Sequence, residues 1–268
     1  MLKKLELSHE MYKDILSYCK KNEIKCIASA FDIEDINFLL KSGQTVFKIP
    51  SGEIVNIPYL RHIGKNATSV IMSTGMASMK EIQNAISILI EEGVKSENLC
   101  LLHCTSEYPA PMDELNLNVI KMFKTHFGLS VGYSDHTIGI EASIAAVALG
   151  ASVIEKHFTL DKKLPGPDHI ASIEQNDLAM LVKAIKNVRV ALGDADKNPT
   201  PSELKNLSIV RQYIVAKKTI KKGDILNNNN ITSMRTGEGI SVKYWDSVLG
   251  TEAIKDFKTN EIIIIDEK

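Results

Sequence analysis

Short apolar runs alternate along the chain with longer stretches whose apolar residues recur every three to four positions. The runs fall at residues 25–29, 45–49, 69–73, 98–104, 129–133 and 152–157. Each leads into an amphipathic stretch, such as 78–92, where Ile82, Ile86, Leu89 and Ile90 fall at helical spacing. A further helix is predicted over 8–21, ahead of the first strand, and the last one over 176–192. These are βα units, and near-continuous apolar strands joined by helical crossovers predict a parallel sheet covered on both sides.

Polar and reactive residues collect at the C-terminal end of nearly every predicted strand. The strand ends read Ser-Ala-Phe-Asp, Lys-Ile-Pro-Ser-Gly-Glu, Ser-Thr-Gly-Met, His-Cys-Thr-Ser-Glu-Tyr, Tyr-Ser-Asp-His-Thr and Glu-Lys-His-Phe-Thr. A (β/α)8 TIM barrel keeps its active site there. An open doubly wound sheet would concentrate function at one switch point and carry a Gly-rich phosphate loop, and the chain has neither GxGxxG nor a P-loop. The α/β barrel is therefore the expected fold class. Six strands are predicted where a closed barrel has eight, so two βα units are expected to be missing from the front of an N-terminally truncated barrel domain, 1–193.

The alternation stops at Gly193-Asp194-Ala195-Asp196-Lys197-Asn198-Pro199-Thr200-Pro201, a run of turn formers that predicts a linker over 194–208. From 209 to 268 short apolar runs alternate with turns, including Lys222-Gly223-Asp224 and the four-asparagine run Asn227 to Asn230. That pattern predicts a small, mostly β appendage of about sixty residues, a size that is marginal for standing alone.

Charge narrows the partners. Among 268 residues, 32 Lys and Arg face 33 Asp and Glu, a net of −1, which argues against a nucleic-acid binder or a polybasic membrane anchor. Hydrophobic residues make up 44% and charged residues 24%, the mix of an ordinary globular protein. The longest uncharged apolar stretch, Ala142 to Ile154, falls short of the ~20 residues of a membrane span. The N-terminus lacks the apolar centre of a signal peptide, so the cytoplasm is the expected location. Cys19, Cys26, Cys100 and Cys104 include no CxxC pair and are read as free thiols.

His136 and His157 end consecutive predicted strands, each near a carboxylate, Asp135 and Glu155. Such a pair suits one divalent metal with open positions for substrate and water. Lys48 stands alone in an apolar strand, either ion-paired with Glu53 or serving as a cation for a phosphate or carboxylate. Ser29, Ser51, Ser73, Thr74, Thr105 and Ser134 place hydroxyls along the same rim, a phosphate cradle assembled from several loops. Glu53, Glu155 and Asp168 add carboxylates, Asp168 within the rigid Pro165-Gly166-Pro167-Asp168-His169, and Tyr108 is placed to wall the pocket.

Taken together, Phe47-Lys48-Ile49-Pro50-Ser51-Gly52-Glu53, Met72-Ser73-Thr74-Gly75-Met76, Leu102-His103-Cys104-Thr105, Gly132-Tyr133-Ser134-Asp135-His136-Thr137, Glu155-Lys156-His157-Phe158-Thr159 and Gly166-Pro167-Asp168-His169 resemble the sialic acid (N-acetylneuraminate) synthases. The tail, with Lys222-Gly223-Asp224 and Arg235-Thr236-Gly237, resembles that family's antifreeze-like (SAF) domain.

The resemblance implies a transferase that condenses phosphoenolpyruvate with N-acetylmannosamine and releases phosphate. It implies a divalent metal, Mn foremost with Mg or Co as alternatives, on His136 and His157. Lys48, Ser51, Ser73 and Ser134 would contact phosphoenolpyruvate, with Ser29 in the place of a family threonine. Glu53 and Glu155 would be the acid, base or water-orienting groups, and Tyr108 and Asp168 would hold the sugar. Arg235 would reach into the barrel of a partner subunit, which implies a domain-swapped homodimer. Ser106 stands where some members have Asn, and Thr236 where Pro is usual. The alternatives are a diacetyllegionaminate or pseudaminate synthase acting on a 2,4-diacetamido sugar, another metal-dependent barrel lyase or aldolase, and an inactive truncated remnant.

Overall fold

Five of the six apolar runs are strands of one parallel sheet, β1 Val46–Ile49, β2 Ser69–Ser73, β3 Leu99–Cys104, β4 Ser130–Asp135 and β5 Ile154–Lys156, hydrogen-bonded in sequence order. The computed structural model describes residues 7–266. The sheet is a half-barrel within the unit Met1–Gly193, and a second unit spans Asp194–Lys268.

Residues 25–29 correct the sixth expectation, because they form no strand. Their extended backbone is held instead by one side chain. The Gln44 amide donates to Ala28 O at 2.8 Å and accepts from Ala28 N at 2.9 Å, reproducing the two bonds a neighbouring strand would make.

The helices start and stop where their caps dictate. They are α1 His9–Lys21, α2 Ile33–Lys41, α3 Ile57–Asn66, α4 Met79–Glu91, α5 Val119–Phe127, α6 Glu141–Ala148 and α7 Gln175–Leu192. Ser8, Asp32, Asn56 and Ser78 cap α1 to α4 through their side chains, and Ser78 with Glu81 closes a capping box. Helix α4 buries Ile82, Ala85, Ile86, Ile88 and Leu89. Ile90, expected on that face, is exposed: it lies one turn on from Ile86 but at the edge of the buried arc, which is centred nearer Ala85 and Leu89.

Register decides what each face of the sheet carries, because partners across a parallel ladder share a face and successive residues alternate. Ser134 pairs with Glu155, Cys104 with Ser134, Ser73 with Leu102 and Lys48 with Ile71. Lys48, Ser73, Cys104, Ser134 and Glu155 therefore share one face. The other face holds Phe47, Ile49, Val70, Met72, Leu99, Leu101, Val131 and Tyr133, all buried in the core with the helices. Gly132 lets β4 approach the start of β5: a Cβ there would lie 2.5 Å from Val153 O.

In the second unit, β6 Tyr213–Ala216 pairs antiparallel with β7 Ile231–Met234. Isolated bridges, Val215 to Ile262, Ile220 to Phe257 and Ile225 to Glu252, wrap the rest around a small core of Ile214, Ile220, Leu226, Ile231, Val248, Phe257 and Ile263. The stretch expected as a linker contains a single-turn helix, α8 Pro201–Leu204, opened by a Thr200–Glu203 capping box, and a second, α9 Leu207–Val210, begins at its end. A third, α10 Trp245–Val248, follows β7. The four-asparagine run builds its own turn: Asn227 N donates to the Asn230 side chain, whose Nδ2 donates to Ile225 O.

Candidate active site at the strand ends

The shared face carries its polar groups at the C-terminal ends of the strands. Lys48 Nζ lies 3.3 Å from Glu155 Oε1, so the lysine pairs with Glu155 and not with Glu53. Glu53 instead accepts from Asn56 Nδ2 at 2.7 Å, on the N-cap residue of α3. Ser134 Oγ donates to the same Glu155 Oε1 at 2.6 Å.

A serine has one hydroxyl hydrogen, and Ser134 gives it to Glu155. A carbonyl oxygen only accepts, so His136 Nδ1–H donates to Thr105 O at 2.7 Å. Its Nε2 lies 3.3 Å from Ser134 Oγ. Burial holds the His136 imidazole below its usual pKa, so the ring is neutral at pH 7 and offers a lone pair. His157 stands beside it, ring centroids 5.5 Å apart and planes at 72°, with Nδ1 3.9 Å from Asp168 Oδ2. Tyr108 covers both rings, its centroid 4.2 Å from that of His136 and 5.4 Å from that of His157. Burial pushes the Tyr108 phenol up, with Cys104, Asp168 and Glu155 adding to the shift.

Two imidazoles, one of them oriented by a backbone carbonyl, fit a divalent cation. Among the described residues no three His, Cys, Asp or Glu side chains gather into a cage. The protein's share of such a site is thus the imidazole pair, and substrate or water would supply the other ligands.

A second cluster lies at the ends of β1 to β3. Ser51 Oγ accepts from Gly75 N at 3.0 Å and meets Cys104 Sγ at 3.3 Å. Gly75 is what allows this convergence: a Cβ there would overlap Ser106 Oγ and come within 2.9 Å of Ser51 Oγ and 3.0 Å of Cys104 Sγ. Ser73 is 3% exposed, and its hydroxyl is a buried side-chain polar atom without a partner among the described residues. Buried hydroxyls are normally satisfied, so an orphan on this face points to a ligand.

Ser29 is exposed on the segment held by Gln44. Arg235 belongs to the second unit, where it is exposed just after β7. That unit also holds a cavity of about 640 Å³ lined by Gly239, Ser241, Lys243, Tyr244 and Ile264. None of the residues singled out for chemistry lines it. All four cysteines are free thiols, Cys100 and Cys104 buried. Among the described residues no helix is long and apolar enough to cross a membrane.

The NeuB family matches residues 1–197, and the SAF domain matches residues 211–266. The chain belongs to the NeuB family. It is 49% identical over 263 residues to the N,N'-diacetyllegionaminic acid synthase of Campylobacter jejuni, spanning 98% of this chain and 79% of that one. A pseudaminic acid synthase of the same species is 36% identical over 255 residues, 95% of this chain and 74% of that one. The crystal structure of N-acetylneuraminic acid (sialic acid) synthetase from Leptospira borgpetersenii superposes with a TM-score of 0.71 at 36% identity, over 75% of this chain and 70% of that one.

For this NeuB-family chain, sequence reasoning missed a buried pair on the opposite face of the sheet. Lys156 Nζ lies 2.9 Å from Asp135 Oδ2, with side chains 4% and 0% exposed. The available signal is a lysine beside the strand-end His157, in a run that opens on Val153 and Ile154.

Proposed function

We propose that the N-terminal unit condenses phosphoenolpyruvate with an acetamido sugar aldehyde, N-acetylmannosamine or a 2,4-diacetamido relative, and releases phosphate. The observation that carries the reading is the orphan Ser73 hydroxyl, on the same sheet face as the Lys48 ammonium and at the strand ends where the imidazole pair stands. An anion with several acceptor oxygens would satisfy both groups at once.

Lys48, Ser51 and Ser73 bind the phosphate, while Ser134 Oγ, fixed by its bond to Glu155, lines the same pocket. His136 and His157 would hold a divalent ion, Mn the first choice, which would supply Lewis acidity when bound. Tyr108 shields the two imidazoles, and Asp168, beside His157, accepts from sugar hydroxyls. C3 of the enol phosphate attacks the aldehyde carbon as the C2–C3 double bond opens, leaving an oxocarbenium ion at C2, and the alkoxide formed takes a proton from solvent. Water adds at C2 and gives up a proton to the Glu155 or Glu53 carboxylate, and the C2–O bond to phosphate then breaks as the C2 hydroxyl loses its proton, giving the ketone and inorganic phosphate. Arg235, from the second unit of a partner subunit, contacts the N-acetyl group in a swapped homodimer.

A 2,4-diacetamido sugar is the second reading, supported by the 49% identity to a diacetyllegionaminic acid synthase. Phosphate release from phosphoenolpyruvate with Mn, measured with N-acetylmannosamine and with each 2,4-diacetamido sugar, tests both. Release with one sugar and a product mass equal to the sugar plus pyruvate supports the condensation. No release with any of them overturns it and leaves the non-catalytic reading.

A further inference from the structure

The last register position between β4 and β5 pairs Asp135 with Lys156, and the next residue on each strand is a histidine, His136 and His157. On this face the two side chains form the buried ion pair at 2.9 Å, between the sheet and α6. Every acceptor position of Asp135 that the surroundings reach is used. Oδ1 accepts from Thr137 N and Thr137 Oγ1, at 2.9 and 2.7 Å, and Oδ2 accepts from Ser143 Oγ on α6 as well as from Lys156. Lys156 Nζ also donates to Thr137 O at 2.8 Å.

His136 is thus bracketed. The residue before it holds the backbone N–H of the residue after it, and the lysine from the neighbouring strand holds that residue's carbonyl. Its own carbonyl accepts from Ala110 N at 2.9 Å. The lysine making these bonds is covalently next to His157, so the pair ties the main chain at one imidazole to the main chain at the other. A buried ion pair is a costly way to gain stability, and fixing one arrangement among alternatives is its best-attested use.

We infer that Asp135 and Lys156 are positioning residues that set the spacing of the His136 and His157 imidazoles for a shared divalent cation. The inference rests on the metal-dependent reading above. Neither side chain needs to touch the metal or the substrate, since both act through the main chain of the histidines.

The test is Mn²⁺ titration of the full chain, followed by the electron paramagnetic resonance signal of free Mn²⁺, together with thermal melting. The variants are Asp135→Asn, Lys156→Met and the double variant. Each single change leaves a buried partner uncompensated and lowers Tm, and the double change restores much of that loss because no lone charge remains. Mn²⁺ affinity is expected to fall 10- to 100-fold in all three, the range for residues that orient metal ligands, and to stay low in the double variant. A double variant with recovered Tm and wild-type Mn²⁺ affinity would show the pair to be structural only and overturn the inference. If the single variants do not fold, Ser143→Ala, which removes one donor from Asp135, is expected to weaken Mn²⁺ binding several-fold, and unchanged binding contradicts the proposal. Wild-type protein that fails to bind Mn²⁺, or binds it equally well as His136→Ala, overturns the metal reading itself.

Discussion

Lys48 Nζ and Glu155 Oε1 lie 3.3 Å apart although their strands are the two edges of a five-stranded sheet. Four strand spacings of about 4.8 Å would separate the edges by about 19 Å in a flat sheet, beyond the combined reach of the two side chains. The sheet is therefore curled with the Lys48 and Glu155 face inward, which brings the ends of β1 and β5 to a common site. Lys48, read from sequence as out of place in an apolar strand, is the contact that spans the half-barrel.

That contact gives the first prediction. Lys48→Met removes the ammonium proposed to hold phosphate and leaves Glu155 with Ser134 and with water, since its side chain is 38% exposed. KM for phosphoenolpyruvate should rise roughly 10- to 100-fold, as loss of a hydrogen bond to a charged group implies. Tm should barely move. Steady-state kinetics with thermal melting checks both, and a large Tm loss with unchanged KM would make the lysine structural.

Gln44 is 8% exposed, and its amide is the bonding partner of Ala28 on both sides. Gln44→Leu keeps the volume but orphans Ala28 N and O, so stability should fall by about 1–3 kcal/mol. Hydrogen exchange at Ala28 should accelerate. Urea denaturation and amide exchange measure the two effects, and full protection of Ala28 in the variant would contradict this role for Gln44.

The same residue shows where the sequence stops being legible. The strands β1 to β5 were readable because each is a short apolar run bounded by turn formers, and the helices because Ser8 and Ser78 cap amphipathic stretches. Residues 25–29 have the same local pattern as a strand, yet a strand also needs a neighbour to pair with, and that is a property of the fold. The strand-end histidines, Lys48 and the rim hydroxyls were visible from spacing alone. Their partners were not: Glu155 in place of Glu53 for Lys48, and Asp135 for Lys156, follow from register and curl.

His103 supplies a pH dependence. It is on the helix-covered face with Phe123 and Tyr133 against its ring, and its Nε2–H donates to Leu115 O at 2.6 Å. Burial lowers its pKa below the ordinary 6.5. The unfolded chain therefore takes up the proton first, so the stability that neutral His103 provides is complete above pH 6.5 and is lost as pH falls below that value. Denaturation at pH 7.5 and 5.5 should show a smaller decrease in His103→Gln, which keeps a donor for Leu115 O but does not titrate. An identical decrease in both proteins would assign the pH dependence elsewhere.

The central claim is that the inner face binds a phosphorylated enol acid, and Ser73 tests it most directly because its hydroxyl has no partner among the described residues. Calorimetric titration of phosphoenolpyruvate into wild type and Ser73→Ala, with Tm measured on both, separates binding from folding. The account predicts unchanged or slightly raised Tm, since no hydrogen bond within the protein is lost, with affinity for phosphoenolpyruvate falling about 10-fold. Equal affinity in the two proteins, or no binding by wild type, would contradict it.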